Sequence, residues 1–374
     1  MGRDDFLTED EARKLVETYM ERGDRIVSTQ EILDSGAIPR LKDFKVKPGK
    51  VSDSIFGGKG SYRDKKTGEN VEFDNPTLNT YRGAPLRIMV RTQRISTHDI
   101  NRGEIPFKDQ ILAANHNYMR RMLSEAIGTS QFEVEGLADN SIVVAAEDLT
   151  QIPFENVLRA FMAKSTTSTS LYVAYMGGKR RFCGHPLPGN LIVNGPLPYV
   201  MDTPSTKSNE HDESVSPNYL FDNGICTTQQ YAQIRNGSIF AFGMVSQFLD
   251  ARGLMAVDTK TEHGINRKGE IVSQDEIWTM DSSRFWLAKD YNTQWAELVR
   301  GERKELDPVS YSKEFARGFS KGEQGYTDEQ RAKIAVRYIQ GIQKLLGERF
   351  EPDMRTTEQR VISGIEKIVE RLVT

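Results

Sequence analysis

The chain has 374 residues, enough for two tightly joined lobes rather than one core. Charged residues make up 28%, the net charge is −3 and mean hydropathy is −0.55, which fits a globular protein in water. This composition excludes the global basic field of a nucleic-acid binder, and no apolar run approaches a membrane span.

Residues 6–20 carry Phe6, Ala12, Leu15, Val16, Tyr19 and Met20 at helical spacing, with Thr8 as N-cap and Glu11 three residues on. The segment is acidic and lacks an apolar signal core, which points to a cytoplasmic protein. The two cysteines, Cys183 and Cys226, have no C-x-x-C spacing and read as reduced thiols. The five histidines lack the H-x-x-x-H spacing of a zinc enzyme. A second short helix is expected after Ser28. Residues 1–40 thus read as a helical arm placed before the main fold, with no chemistry of their own.

Residues 44–56 alternate on both sides of Pro48-Gly49-Lys50, as a strand–turn–strand would. A Gly-Lys at a turn can lay backbone N–H groups and an ammonium along a polyphosphate, although an ordinary hairpin turn carries the same residues. Gly58-Lys59-Gly60 offers a second Gly-Lys, so Lys50 and Lys59 both stay open. Residues 57–82, rich in Gly, Lys, Asp, Glu and Asn, predict a mobile excursion. Residues 86–90 predict a strand that runs into Arg94, Ser96 and Asp99. A helix is expected over 108–127, followed by strands at 132–136 and 141–146, the second passing from one lobe toward the other.

Residues 152–160 predict an apolar strand ending at Arg159, just before the turn Ser165-Thr166-Thr167-Ser168. A guanidinium beside such hydroxyls suits a phosphate monoester, which it can bind bidentately. After an irregular connector, Thr203-Pro204-Ser205-Thr206-Lys207 precedes Glu210-His211-Asp212-Glu213. There Lys207 can meet an anion and Asp212 can accept from ribose hydroxyls or an amine, with a merely solvated loop as the alternative. His211 reads as a hydrogen-bonding neighbour. Helical stripes follow at 227–249, 328–346 and 358–372.

The most informative stretch is 255–286, MAVDTKTEHGINRKGEIVSQDEIWTMDSSRFW. An apolar run ends in Asp258, Asn266-Arg267-Lys268-Gly269 is a turn cluster, and residues 270–272 start a return strand. Alternation puts Asp258, Lys260 and Glu262 on one face, near Asp275 and Glu276. Acids so crowded need a counter-charge, and a divalent cation bridging nucleotide phosphates would supply one. A solvated polar hairpin face is the plain alternative.

Six separated motifs, in order over residues 44–290, resemble the SAICAR synthetase family of purine biosynthesis. D-x-K-x-E-x-G covers Asp258, Lys260, Glu262 and Gly264, and the later D-E…D-S-S-R-x-W covers Asp275, Glu276, Asp281, Ser282, Ser283, Arg284 and Trp286. The T-P-S-T-K…H-D-E run, I-P-x-E-x-x-x-R at residues 152–159, the Arg94–Asp99 segment and the Gly-Lys turn complete the match. The resemblance implies an α+β, two-lobed protein. It comprises the arm, an N-terminal nucleotide-binding lobe at 41–147, and a C-terminal lobe of ATP-grasp-like character at 148–374 with the substrate site and terminal helices.

It further implies an ATP-dependent ligase joining the carboxylate of carboxyaminoimidazole ribonucleotide to the amine of L-aspartate, with ATP and Mg²⁺. On that reading Lys50 meets the ATP phosphates and Lys260 lies in the nucleotide site. Val144, Ala145, Ala146 and Glu147 offer backbone to the adenine, with a plain core strand as the alternative. Glu262 and Asp275 hold Mg²⁺, and Lys260, Lys207 and Asp212 serve the chemistry. Arg94, Ser96, Arg159, Ser165, Lys207, Asp212 and Arg284 bind substrate, with Arg159, Ser165 and Arg284 on the 5′-phosphate. A same-scaffold ligase for a different ribosyl-azole carboxylate, and a non-catalytic nucleotide binder, remain as alternatives, and self-association is left open. Gln93, Phe107, Asp109 and Lys164 depart from the family pattern, replacing an acid and three glycines. They predict either compensating loop shifts or a pocket for a bulkier acceptor.

Overall fold

A computed structural model describes residues 5–64, 67–207 and 212–373. Its first sheet is antiparallel, in the order Lys47–Pro48, Ser52–Phe56, Leu86–Arg91, Val143–Glu147. Gly49 makes the first turn possible: a Cβ there would sit 2.3 Å from the Ser52 carbonyl oxygen, so no side chain fits. Residues 57–82 are not a structureless excursion. Gly58–Arg63 pairs antiparallel with Asn70–Asn75, which sets Lys59 in a ladder opposite Asp74 and leaves Lys50 beside the turn. Residues 132–136 form no strand, and the pairing just before them consists of the isolated bridges Thr129↔Ser273 and Gln131↔Ala146.

The second sheet runs Pro196–Asp202, Thr150–Phe161, Leu254–Ile265, Ile271–Ser273, with Ser205–Thr206 and Ser283–Leu287 added at its two long central strands. The strand that carries Asp258, Lys260 and Glu262 runs to Ile265 and turns at 266–269, as expected. Its register is interrupted between Ala256 and Asp258 by a bulge, which re-aims the strand. Leu254 and Ala256 therefore pack with Leu158, Phe285 and the helix Thr228–Asp250 in the main core, while Asp258, Lys260 and Glu262 face the other way.

The terminal segments are not appendages. The helix Glu9–Glu21, closed by the Thr8–Glu11 capping box, buries Ala12 and Val16 in the core that includes the helix Asp328–Leu346. The next helix, Thr29–Asp34, buries Ile32 and Leu33 in the core of the first sheet. The last helix, Thr357–Leu372, buries Val361, Ile365 and Ile368 in that same core. Gly364 permits this approach, since a Cβ there would meet Val143 at 2.7 Å. Although it follows the second sheet in sequence, its apolar stripe packs on the first. Among the described residues, no helix is long and apolar enough to cross a membrane.

Candidate active site

Three adjacent strands build the site. The register sets Asp258 opposite Arg159 on one side and Arg284 on the other, and Glu262 opposite Glu155. Side chains directly across a ladder share a face, so this register puts all five on the surface turned away from the core helix.

At one end Arg284 donates Nε to both Asp258 oxygens at 2.9 Å, and its Nη1 donates to the Lys164 carbonyl at 2.9 Å. Arg159 donates Nε to Thr203 Oγ1 at 2.9 Å and lies 3.5 Å from Asp258. Burial alone would raise the Asp258 carboxyl, yet Arg284 and Arg159 hold it below the usual range. Burial and the neighbouring Arg284 lower Arg159, with Asp258 opposing them. Two guanidiniums thus share one carboxylate, and the excess positive charge faces the 164–168 turn. Ser165, buried there, accepts from the Thr167 amide at 3.2 Å.

The other end has the opposite balance. Lys260 bridges Glu155 at 2.5 Å and Glu262 at 3.2 Å, and Lys207 contacts the second Glu262 oxygen. Burial opposes the Glu262 charge, but Lys260 and Lys207 outweigh it and depress its carboxyl to about 2. Glu155 moves the other way, raised by burial and by the charges of Glu262 and Asp212 despite Lys260. Two ammoniums here meet the carboxylates of Glu155 and Glu262, and the charge of a third, Asp212, acts on Glu155. The neighbouring Glu210 and His211 lie outside the described residues.

Asp275 follows Gln274, whose amide donates to the Glu262 carbonyl at 2.9 Å, so both proposed metal ligands lie where the strand ladder opens. Among the described residues the Asp275 carboxylate has no hydrogen-bond or ion-pair partner, and no cluster of three or more metal-ligating side chains occurs. A deprotonated Glu262 and a half-buried Asp275 are an all-oxygen pair, which fits Mg²⁺ completed by phosphates and water rather than a closed protein cage. Behind them lies a buried network that the motif reading did not resolve. Asp281 meets Lys108 at 2.8 Å and Tyr338 at 2.6 Å, and Glu276 meets Arg91 of the first sheet at 3.5 Å. Glu276 therefore ties this segment to the first sheet.

The hairpin Arg94–Thr97/Ile100–Glu104 joins the parts. Its two turn residues, His98 and Asp99, both have positive φ (52° and 60°), as a tight two-residue hairpin requires. His98 Nε2 lies 2.8 Å from Thr166 Oγ1, and Asp99 accepts from Lys50 Nζ at 2.5 Å. The Gly-Lys turn and the hydroxyl-rich turn thus flank one hairpin tip. Arg94 belongs to the first of these, donating to the Gly49 carbonyl at 3.0 Å and pairing with buried Asp53 at 2.5 Å. Ser96 is buried in the same hairpin.

Val144, Ala145, Ala146 and Glu147 lie in a core strand that is paired along one edge and bonded at two points on the other. Leu86–Arg91 pairs with one edge, while on the other Phe132 N donates to Ala145 O (2.8 Å) and Glu147 N to Ser130 O (2.8 Å). Those two bonds engage only Ala145 O and Glu147 N on that edge, and a small cavity lined by Phe132, Val143, Val144 and Ala145 adjoins it. The motif hydroxyls Ser283 and Ser282 bond Thr259 (2.8 Å) and Thr279 (3.1 Å) rather than Arg284. Glu155 and Asp53 were missed as site residues. Two-residue parity from Arg159 could have found Glu155, whereas nothing local marks Asp53.

The departures from the family pattern are accommodated by the terminal helices. Phe107 takes the positive φ (64°) that a glycine would supply, with its ring fully buried against Tyr19 and Phe350. Gln93 donates to the Tyr19 hydroxyl at 2.7 Å, and Asp109 pairs with Arg360 at 3.0 Å. Lys164 contributes the carbonyl that holds Arg284.

Comparison with known proteins matches the SAICAR synthetase family model to residues 79–333. A putative phosphoribosylaminoimidazole-succinocarboxamide synthase 2 from Agrobacterium fabrum is 30% identical, over 86% of this chain and 93% of its own. The chloroplastic phosphoribosylaminoimidazole-succinocarboxamide synthase of Arabidopsis thaliana is 32% identical over 72% of this chain. The match spans 65% of that protein's length, a little under two thirds. The solved SAICAR synthase from Saccharomyces cerevisiae, complexed with SAICAR, shares the fold with a TM-score of 0.62 at 20% identity, covering 83% of this chain and 97% of that one. With the motifs gathered on one sheet face and the family model matched over most of the length, the chain belongs to the SAICAR synthetase family.

Proposed function

We propose that this chain joins the carboxylate of carboxyaminoimidazole ribonucleotide to the amine of L-aspartate, consuming ATP and yielding SAICAR, ADP and phosphate, in the cytoplasm. The observation that carries this reading is the division of one strand face. An arginine-rich end at Asp258 suits a phosphate monoester, and a carboxylate-rich end at Glu262, with two lysines, suits a metal-bound polyphosphate and an amine.

A carboxylate resists an amine because its charge repels the nucleophile and its oxygen leaves poorly. Transfer of the γ-phosphoryl group breaks the bond to the β-phosphate oxygen and forms a carboxyl–phosphate bond, giving an acyl phosphate. The amine then forms the C–N bond, loses a proton, and phosphate departs. The protein's tasks are positioning and charge neutralisation. Arg159, Arg284 and Ser165 hold the 5′-phosphate. Lys50 meets the ATP phosphates on a turn fixed by Arg94, with Ser96 in the adjoining hairpin. Lys260, kept charged by Glu155 and Glu262, and Lys207, paired with Glu262, neutralise the transferring group, and Asp212 receives the amine. Glu262 and Asp275 would hold Mg²⁺, which when bound screens the charge of the phosphates.

Because Gln93, Phe107 and Asp109 face the terminal helices, the ordinary acceptor carboxylate is favoured over a bulkier one. ADP release should require both the ribonucleotide and aspartate. ADP release that ignores aspartate, or faster turnover of another ribosyl-azole carboxylate, would contradict this assignment.

A further inference from the structure

The arm at residues 5–40 reaches the Arg94 segment from two directions. From the helix Glu9–Glu21, the Tyr19 hydroxyl accepts from Gln93 Nε2 at 2.7 Å, while the Tyr19 ring packs on Phe107 with centroids 4.5 Å apart. Gln93 is the residue before Arg94, and its carbonyl accepts from the Ile105 amide at 2.8 Å, so it ties both ends of the hairpin. From the helix Thr29–Asp34, Thr29 donates its hydroxyl to Asp53 Oδ2 at 2.7 Å, and the other oxygen of Asp53 receives Arg94. Thr29 and Asp53 are both buried, so water cannot replace either bond.

We propose that the arm is a built part of the nucleotide-phosphate site, with Tyr19 and Thr29 as positioning residues that fix Arg94 and, through the Gly49 carbonyl, the turn carrying Lys50. Neither hydroxyl touches substrate. Each fixes a neighbour of Arg94, and Arg94 fixes the turn. The arm is itself anchored independently: Gln343 exchanges hydrogen bonds with the Leu7 backbone at 2.8 and 3.1 Å, and Arg22 donates to the Met354 carbonyl at 2.6 Å. The helix therefore supplies a fixed reference rather than a flexible contact. It also explains why a glutamine and a phenylalanine stand at positions 93 and 107, since both are shaped to Tyr19.

The catalytic consequence rests on the reading in which the Lys50 turn meets ATP. The positioning itself is tested without activity. Tyr19→Phe removes one hydroxyl and keeps the ring, Thr29→Val removes the other, and Thr29→Ser restores it. Hydrogen exchange at residues 49–53 and 94–99 should quicken in Tyr19→Phe and Thr29→Val while residues 254–265 stay unchanged. The KM for ATP should rise about three- to ten-fold, as expected for one buried hydrogen bond, with the ribonucleotide KM unmoved and Thr29→Ser close to wild type. Unchanged exchange in both segments would overturn the proposal, as would a loss shared equally by both substrates and tracking the melting temperature. A wild-type protein without ligase activity would sink the functional reading alone, because the exchange result still decides the positioning role.

Discussion

The two ends of the strand Leu254–Ile265 use different cations for different work. At Asp258 the partners are arginines, whose side chains are only 12% and 15% exposed, and whose planar forks are locked by a carboxylate and by the Lys164 and Thr203 oxygens. At Glu262 the partners are lysines, 37% and 41% exposed, each tethered only through its terminal ammonium. A rigid fork recognises a group that stays put, such as a 5′-phosphate. A flexible point charge can follow a phosphoryl group as it moves. The difference teaches that ion-pair count is a poor guide to role here, whereas the rigidity and net balance of each cluster separate binding from chemistry.

The largest effect should come from breaking the arginine end. Asp258→Ala leaves two buried guanidiniums facing each other, and thermal unfolding should show a loss of about 3–5 kcal/mol. Little loss would mean the arginines relax into solvent and are not locked. At the lysine end, Lys260→Met should lower the melting temperature less than Asp258→Ala does, because Lys207 still pairs Glu262, and should lower kcat by roughly 10²–10³-fold, the scale of a lost transition-state charge contact. A change confined to the ribonucleotide KM would reverse the two ends. Arg159→Lys should raise that same KM by about ten-fold or more, since an ammonium cannot reproduce two parallel hydrogen bonds. An effect on ATP alone would contradict the division.

The smallest effect is electrostatic. Glu262 is depressed from an unfolded value of 4.5 to about 2, so the stability it lends is complete above about 4.5 and fades as pH falls toward about 2. Melting curves of wild type and Glu262→Gln should therefore converge through that acid window, from a gap at neutral pH on the order of 1–2 kcal/mol. Parallel curves would mean the lysines do not hold the carboxylate.

The shared face of Asp258, Lys260 and Glu262 was legible because a strand alternates with period two, and the motif spacing located it. The bulge after Ala256, which turns that face away from the core, has no residue signature in the sequence. The second edge of the strand at 143–147 was illegible for a similar reason: residues 130–132 pair with it through one bridge and two hydrogen bonds, too short to leave a periodic pattern. Helical stripes at the termini were read correctly as helices, but a stripe says only that something covers it. That Tyr19 meets Gln93, 74 residues away, or that Val361 completes the first sheet's core, follows from tertiary packing alone. The departures at positions 93, 107 and 109 looked like changes in a pocket until their partners in the terminal helices were placed.

The central claim is that this face activates a carboxylate by phosphoryl transfer. Carboxyaminoimidazole ribonucleotide labelled with ¹⁸O in its carboxylate should, on turnover with ATP and aspartate, deliver one labelled oxygen to the released phosphate, because the acyl phosphate breaks at the carboxyl carbon. Phosphate released without label would contradict the account.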